Sequence, residues 1–141
     1  MTILDNEYVL IEHDPVHRIY TTVWKKYTPS SMYRQIILSR MEDIAGRQVG
    51  KELTDLTLLP TISQEDAHWT LEISQIYYSR ICRDHIHTCA IILADGTFTR
   101  LAIHNMMEEF RHTFKDMDTR LITRYFSDVP QAKQWLMNHV L

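Results

Sequence analysis

Two short runs near the start of the chain are dense in β-branched and aromatic residues: Glu7–His13 (EYVLIEH) and Arg18–Trp24 (RIYTTVW). That composition predicts strands. Asp14-Pro15-Val16-His17 lies between them, with Asp before Pro to start a turn and Pro to preset one backbone angle. So short a connection predicts an antiparallel hairpin. The period then changes. Met32, Ile36, Ile37, Met41, Ile44 and Ala45 recur at helical spacing, while Arg34, Gln35 and Glu42 fall on the opposite side, where Leu38 is the apolar exception. Ser30 or Ser31 is expected to cap this helix, and Gly46 to end it in the left-handed conformation.

The same reading continues to the C-terminus. Glu52–Leu59 (ELTDLTLL) predicts a short strand or strand-like segment closed by Pro60. Ser63-Gln64-Glu65-Asp66 has the form of a capping box, with acidic residues at the positive end of the helix it opens. That helix carries Ala67, Trp69, Leu71, Ile73, Ile76 and Tyr77 and is expected to run to about Ile81. His87–Leu93 (HTCAIIL) is almost continuously apolar, as in strands buried on both faces of a parallel sheet. Asp95-Gly96 turns the chain into a third helix bearing Leu101, Ile103, Met106, Met107 and Phe110. A strand over Arg120–Phe126 then leads to a last helix with Ala132, Trp135, Leu136 and Val140 inward. The order is strand, strand, helix, then strand–helix three times. It predicts a single α/β domain over residues 1–141: a mixed, mostly parallel sheet with an N-terminal antiparallel hairpin and about four helices.

Composition narrows the function classes. The 141 residues suit one domain with a true core, and 45% are apolar. With 15 basic and 18 acidic residues the net charge is −3, which argues against a phosphate-neutralising nucleic-acid binder. Three glycines, Gly46, Gly50 and Gly96, cannot supply a Walker loop or a dinucleotide fingerprint, and no cofactor is expected. There is no apolar run long enough to span a bilayer. Met1–Glu7 lacks the features of a secretory signal, and Cys82 and Cys89 make no disulfide framework. A cytoplasmic location is the expectation.

Few constellations could carry chemistry. In an extended chain His85, His87 and Cys89 would project to one face and offer ligands to zinc or copper. The alternative places His85 in a loop, His87 at a strand edge and Cys89 in the core. His104 with Glu108, and His68 with Glu72, have the one-turn spacing of a base and its carboxylate, which is also the spacing of ordinary helix-surface pairs. Met106 and Met107 beside Phe110, and Met32 with Met41, read as core. Arg100, Arg111, Lys115, Arg120 and Arg124 are interrupted by Glu108, Glu109, Asp116 and Asp118, the pattern of a mixed solvated surface. No activated nucleophile emerges, so no catalytic residues are assigned and a non-enzyme is expected. Open α/β sheets bind ligands beyond the carboxyl ends of their parallel strands. That crevice would gather Asp55, Thr61, Ser63, Asp95, Thr97, Ser127 and Asp128, with the Thr61–Ser63 turn foremost.

Several of these segments also carry a family likeness. Trp24 follows the second strand and Tyr33-Arg34 lies in the first helix; Asp55 is followed by Leu58-Leu59-Pro60. Ile62–Trp69 opens the second helix, Ala90-Ile91-Ile92 forms the buried strand, and Tyr125-Phe126-Ser127-Asp128 precedes Ala132-Lys133-Gln134-Trp135-Leu136. In their order the chain resembles the STAS-like bacterial domains related to anti-sigma-factor antagonists, in the subgroup approaching CRAL-TRIO lipid-binding domains. The resemblance implies an α/β sandwich without catalysis that binds a protein partner, a small anion or nucleotide, or a lipid. Antagonists of the family carry an Asp-x-Ser-Gly type phosphorylation motif at the second helix; here Pro60–Asp66 has no glycine after Ser63. Ser63 is read as an N-cap, with phosphorylation as the alternative, opposed by Glu65 and Asp66. The leading functional expectation is a regulatory interaction or ligand-binding module. Metal-dependent activity at His85, His87 and Cys89 and a homodimeric accessory domain stand as its rivals.

Overall fold

The structure, a computed structural model, describes residues 1–83, 85–93, 104–105, 108–109, 112 and 120–138. Its centre is one six-stranded mixed sheet: β1 (Thr2–Asp5), β2 (Val9–Asp14), β3 (Ile19–Trp24), β4 (Lys51–Asp55), β5 (His87–Ile92) and β6 (Leu121–Phe126). Spatial order equals chain order. β1, β2 and β3 pair antiparallel, and β3 through β6 pair parallel. Among the described residues three helices have defined limits: α1 (Ser30–Arg47), α2 (Gln64–Ile81) and α3 (Val129–Met137). The expectation of about four is corrected to these three. The further helix expected around Leu101–Phe110 lies mostly outside the described residues, of which His104, Asn105, Glu108, Glu109 and His112 are helical and exposed.

Turn and cap chemistry accounts for most boundaries. Asp14 Oδ1 accepts from the amides of Val16 and His17 at 2.9 and 3.2 Å, which closes the expected hairpin. Asp55 Oδ1 accepts from the Thr57 amide and Leu59 N–H bonds back to the Leu56 carbonyl, so β4 stops at Asp55 rather than running to Leu59. Asp128 caps α3 through the Gln131 amide at 2.8 Å, with Pro130 in the first turn.

The end of α1 differs from expectation. The helix passes through Gly46 to Arg47, and Gln48 takes the left-handed conformation (φ 55°, ψ 45°). Gln48 N–H bonds to Ala45 O and Val49 N–H to Ile44 O, the two bonds of a Schellman motif, with Val49 and Ile44 both buried. Burial of Val49 selects the stopping point, two residues beyond the glycine. At the other end Pro29 occupies the cap position and no side chain caps the helix.

Each sheet face has its own core. Tyr20, Trp24, Val9, Ile11 and Cys89 face α1 and α2, packing with Tyr33, Ile37, Met41, Ile44, Leu71 and Tyr78. Ile19, Leu53, Ala90 and Ile92 form the second core beneath Ala132 and Leu136 of α3. Phe126 and Trp135 close its margin with ring centroids 5.6 Å apart. Val140, expected on this inner face, lies outside the described residues. β5 is buried from both sides, which explains its uninterrupted apolar run. Among the described residues no helix is long and apolar enough to cross a membrane.

Candidate functional site

A polar cluster is buried where β4 and β5 face α1 and α2. Glu52 on β4 pairs in register with Cys89 on β5, and His87 lies two residues before Cys89 on the same face. The Glu52 carboxylate is 1% exposed and receives donors from four side chains. Arg40 of α1 bonds to Oε1. Tyr78 of α2 at 2.7 Å, the Cys89 thiol at 3.3 Å and His87 Nε2 all converge on Oε2. Arg40 is held in turn by Thr22 (2.8 Å) and Thr54 (3.0 Å).

The electrostatics follow from these contacts. Burial opposes ionisation of Glu52, but the Arg40 guanidinium and then His87 outweigh it and hold the carboxyl well below the usual carboxylate range. Burial also works against the Arg40 charge, and Glu52 beside it keeps that charge in place. The Cys89 thiol and the Tyr78 phenol are both pushed up, first by burial and then by neighbouring acidic groups. Burial likewise lifts Cys82 to about 11. Both thiols are therefore protonated at neutral pH, and neither is an activated nucleophile.

His87 Nδ1 lies 2.9 Å from the Val49 carbonyl, which can only accept, so Nδ1 donates there and Nε2 is turned toward Glu52.

A cavity of about 130 Å³ opens onto this cluster. Trp24, Ile37, Leu56, Leu71 and Ile91 supply apolar wall, and Arg40, Glu52, Tyr78 and Cys89 are on its polar side. Arg40 Nε and one terminal nitrogen are fully engaged. For the other terminal nitrogen the only partner among the described residues is the Met41 sulfur, 3.7 Å away.

The crevice expected from the sequence is only partly assembled. Thr61 and Ser63 line a second cavity of about 200 Å³ with Tyr27, Thr28, Ser30 and Asp66. Ser63 caps α2 through the Asp66 amide at 3.1 Å, and the Asp66 carboxylate accepts from Ser30 (2.7 Å) and Arg34 (2.8 Å) of α1. An internal carboxylate thus occupies the meeting point of the two helix N-termini. Asp55 and Asp128 serve a turn and a cap, Ser127 precedes that cap, and Asp95 and Thr97 lie outside the described residues.

Two expectations follow for this region. Ser63→Ala should cost about 1 kcal/mol in denaturant unfolding through loss of the cap. Burial opposes ionisation of Asp66, yet its bonds to Ser30 and Arg34 hold its pKa below the ordinary 3.8. A depressed folded-state pKa gives stability that is present at neutral pH and is lost as pH falls below about 4. Asp66→Asn should therefore flatten the fall in stability on the acid side, as read from urea midpoints measured across that range.

The trio considered for a metal is regrouped. His87 and Cys89 do share a face, but the third member of their group is Glu52. His85 precedes the strand, and its Nε2 has no partner among the described residues. Glu52, Arg40 and Tyr78 were absent from the sequence-based candidates. For the two charged residues the signal was a charge within an apolar pattern: Arg40 is one turn from Ile36, Ile37 and Ile44, and Glu52 opens the strand expected over Glu52–Leu59. The remaining pairs are surface features. His68 lies 3.5 Å from Glu109, His104 and Glu108 are exposed, Arg120 bonds to the Cys82 carbonyl, and Arg124 lies over Phe126. Met41 is core, whereas Met106 and Met107 lie outside the described residues. Comparison with models of protein families, with curated proteins and with solved structures finds no match.

Proposed function

We propose that the chain is a non-catalytic ligand-binding module of STAS-like type that takes a small amphipathic anion into the cavity beneath α1 and α2. The observation that carries this reading is an apolar cavity with the incompletely engaged Arg40 guanidinium at its polar side. A guanidinium with a spare N–H fits a carboxylate, and the apolar wall fits a short hydrocarbon or aromatic body. A cavity near this size accepts benzene, so the ligand has on the order of six to nine heavy atoms. A regulatory role in the cytosol belongs to the same reading, supported by two buried free cysteines.

Benzoate and hexanoate are suitable probes, with benzyl alcohol as the neutral counterpart. Both anions are expected to raise the melting temperature in a concentration-dependent way, more than benzyl alcohol does. Leu71→Trp, which fills the cavity, should abolish the shift while the protein stays folded by circular dichroism. Equal stabilisation by anion and alcohol would remove Arg40 from the reading, and no stabilisation by either would end it.

A further inference from the structure

The geometry points to a binding site for one zinc-class divalent cation, ligated by Glu52 Oε2, His87 Nε2 and Cys89 Sγ. Their donor atoms lie within 4.8 Å of one another and all three residues are buried. In a tetrahedral zinc site with bonds of about 2.0–2.3 Å, ligand atoms are roughly 3.3–3.8 Å apart. The 3.3 Å between Cys89 Sγ and Glu52 Oε2 already meets that spacing. Oxygen, nitrogen and sulfur donors together favour zinc and its neighbours over magnesium or calcium.

Two further features support a metal over a purely structural polar knot. The Val49 carbonyl accepts from His87 Nδ1 and so turns Nε2 toward the site, the outer-shell arrangement that orients ligating imidazoles. Glu52 Oε2 is also the common point reached by His87 Nε2 and Cys89 Sγ, so the three ligating atoms are already gathered from two adjacent strands. Glu52 and Cys89 also line the cavity, so an ion held by them would border it.

This inference does not depend on an anion filling the cavity, because metal content is read without any added ligand. The test uses the full chain, stripped by chelator and dialysed against Co²⁺ or Zn²⁺. One equivalent of Co²⁺ is expected to bind with a thiolate-to-cobalt charge-transfer band, and Zn²⁺ to displace it with loss of the band. Binding should release protons in weakly buffered solution. Cys89→Ser should lose the band, and Cys82→Ser, which changes the other buried thiol, should keep it. Absence of uptake by the folded wild-type chain would overturn the proposal even if a variant failed to fold. So would a cobalt spectrum that survives Cys89→Ser or disappears in Cys82→Ser.

Discussion

Glu52→Ala is expected to lower the free energy of unfolding by about 3–5 kcal/mol, among the largest losses available to a single substitution in this chain. The carboxylate is the common acceptor for Arg40, Tyr78, Cys89 and His87, so its removal strands four buried donors, one of them a guanidinium. An uncompensated charge in the interior costs far more than one lost hydrogen bond, which is typically worth about 1 kcal/mol. Arg40→Met should be damaging for the reciprocal reason. The double variant Arg40→Met, Glu52→Met should be less damaged than the sum of the two, because hydrophobic replacement of a whole buried pair is often neutral or stabilising. Urea unfolding of the four proteins gives this cycle directly. A cost below about 1 kcal/mol for Glu52→Ala would show that the cluster does not hold the two layers together.

Leu136→Ala should cost about 2–5 kcal/mol, but through a different face of the molecule. Leu136 is fully buried and, with Ala132, anchors the nine-residue α3 over Leu53, Ala90 and Ile92. A helix this short has little stability of its own, so its attachment depends on that packed stripe. The Glu52 cluster lies on the opposite side of the sheet. Leu136→Ala should therefore shift the unfolding midpoint while leaving cobalt uptake by the folded fraction unaltered. Parallel denaturation and metal titration separate the two faces.

The strands and helices that bury a periodic set of residues were legible in the sequence. The hairpin, the limits of α2 and the buried character of β5 all follow from local pattern and cap chemistry. β1 was not legible: Thr2–Asp5 offers only Ile3 and Leu4, too little alternation to distinguish from a tail, and its place is set by pairing with β2. The end of α1 lies beyond Gly46 because burial of Val49, a tertiary effect, outweighs the local preference of a glycine cap. The candidate site was half legible. His87 and Cys89 are close in sequence, but their partners Glu52, Arg40 and Tyr78 arrive from three other elements. Helical periodicity marks Arg40 as an intruder on an apolar stripe without saying which strand will answer its charge. The crevice residues failed differently. Local chemistry nominated Ser63, Asp55 and Asp128, and the same local chemistry uses them as caps and turns.

The sequential order of the sheet has a consequence for how the chain comes to be folded. Among the described residues every strand finds its partner in the strand just before it, so the sheet can lengthen from one edge as residues are synthesised, without waiting for a distant segment. The widest gap to close is the one between β4 and β5, and α3 settles only after β6 has joined, since it rests on β4, β5 and β6 together. Among the described residues Leu53, Ala90 and Ile92, which α3 covers, are thus late to leave water, and during synthesis that face is one a chaperone would find open.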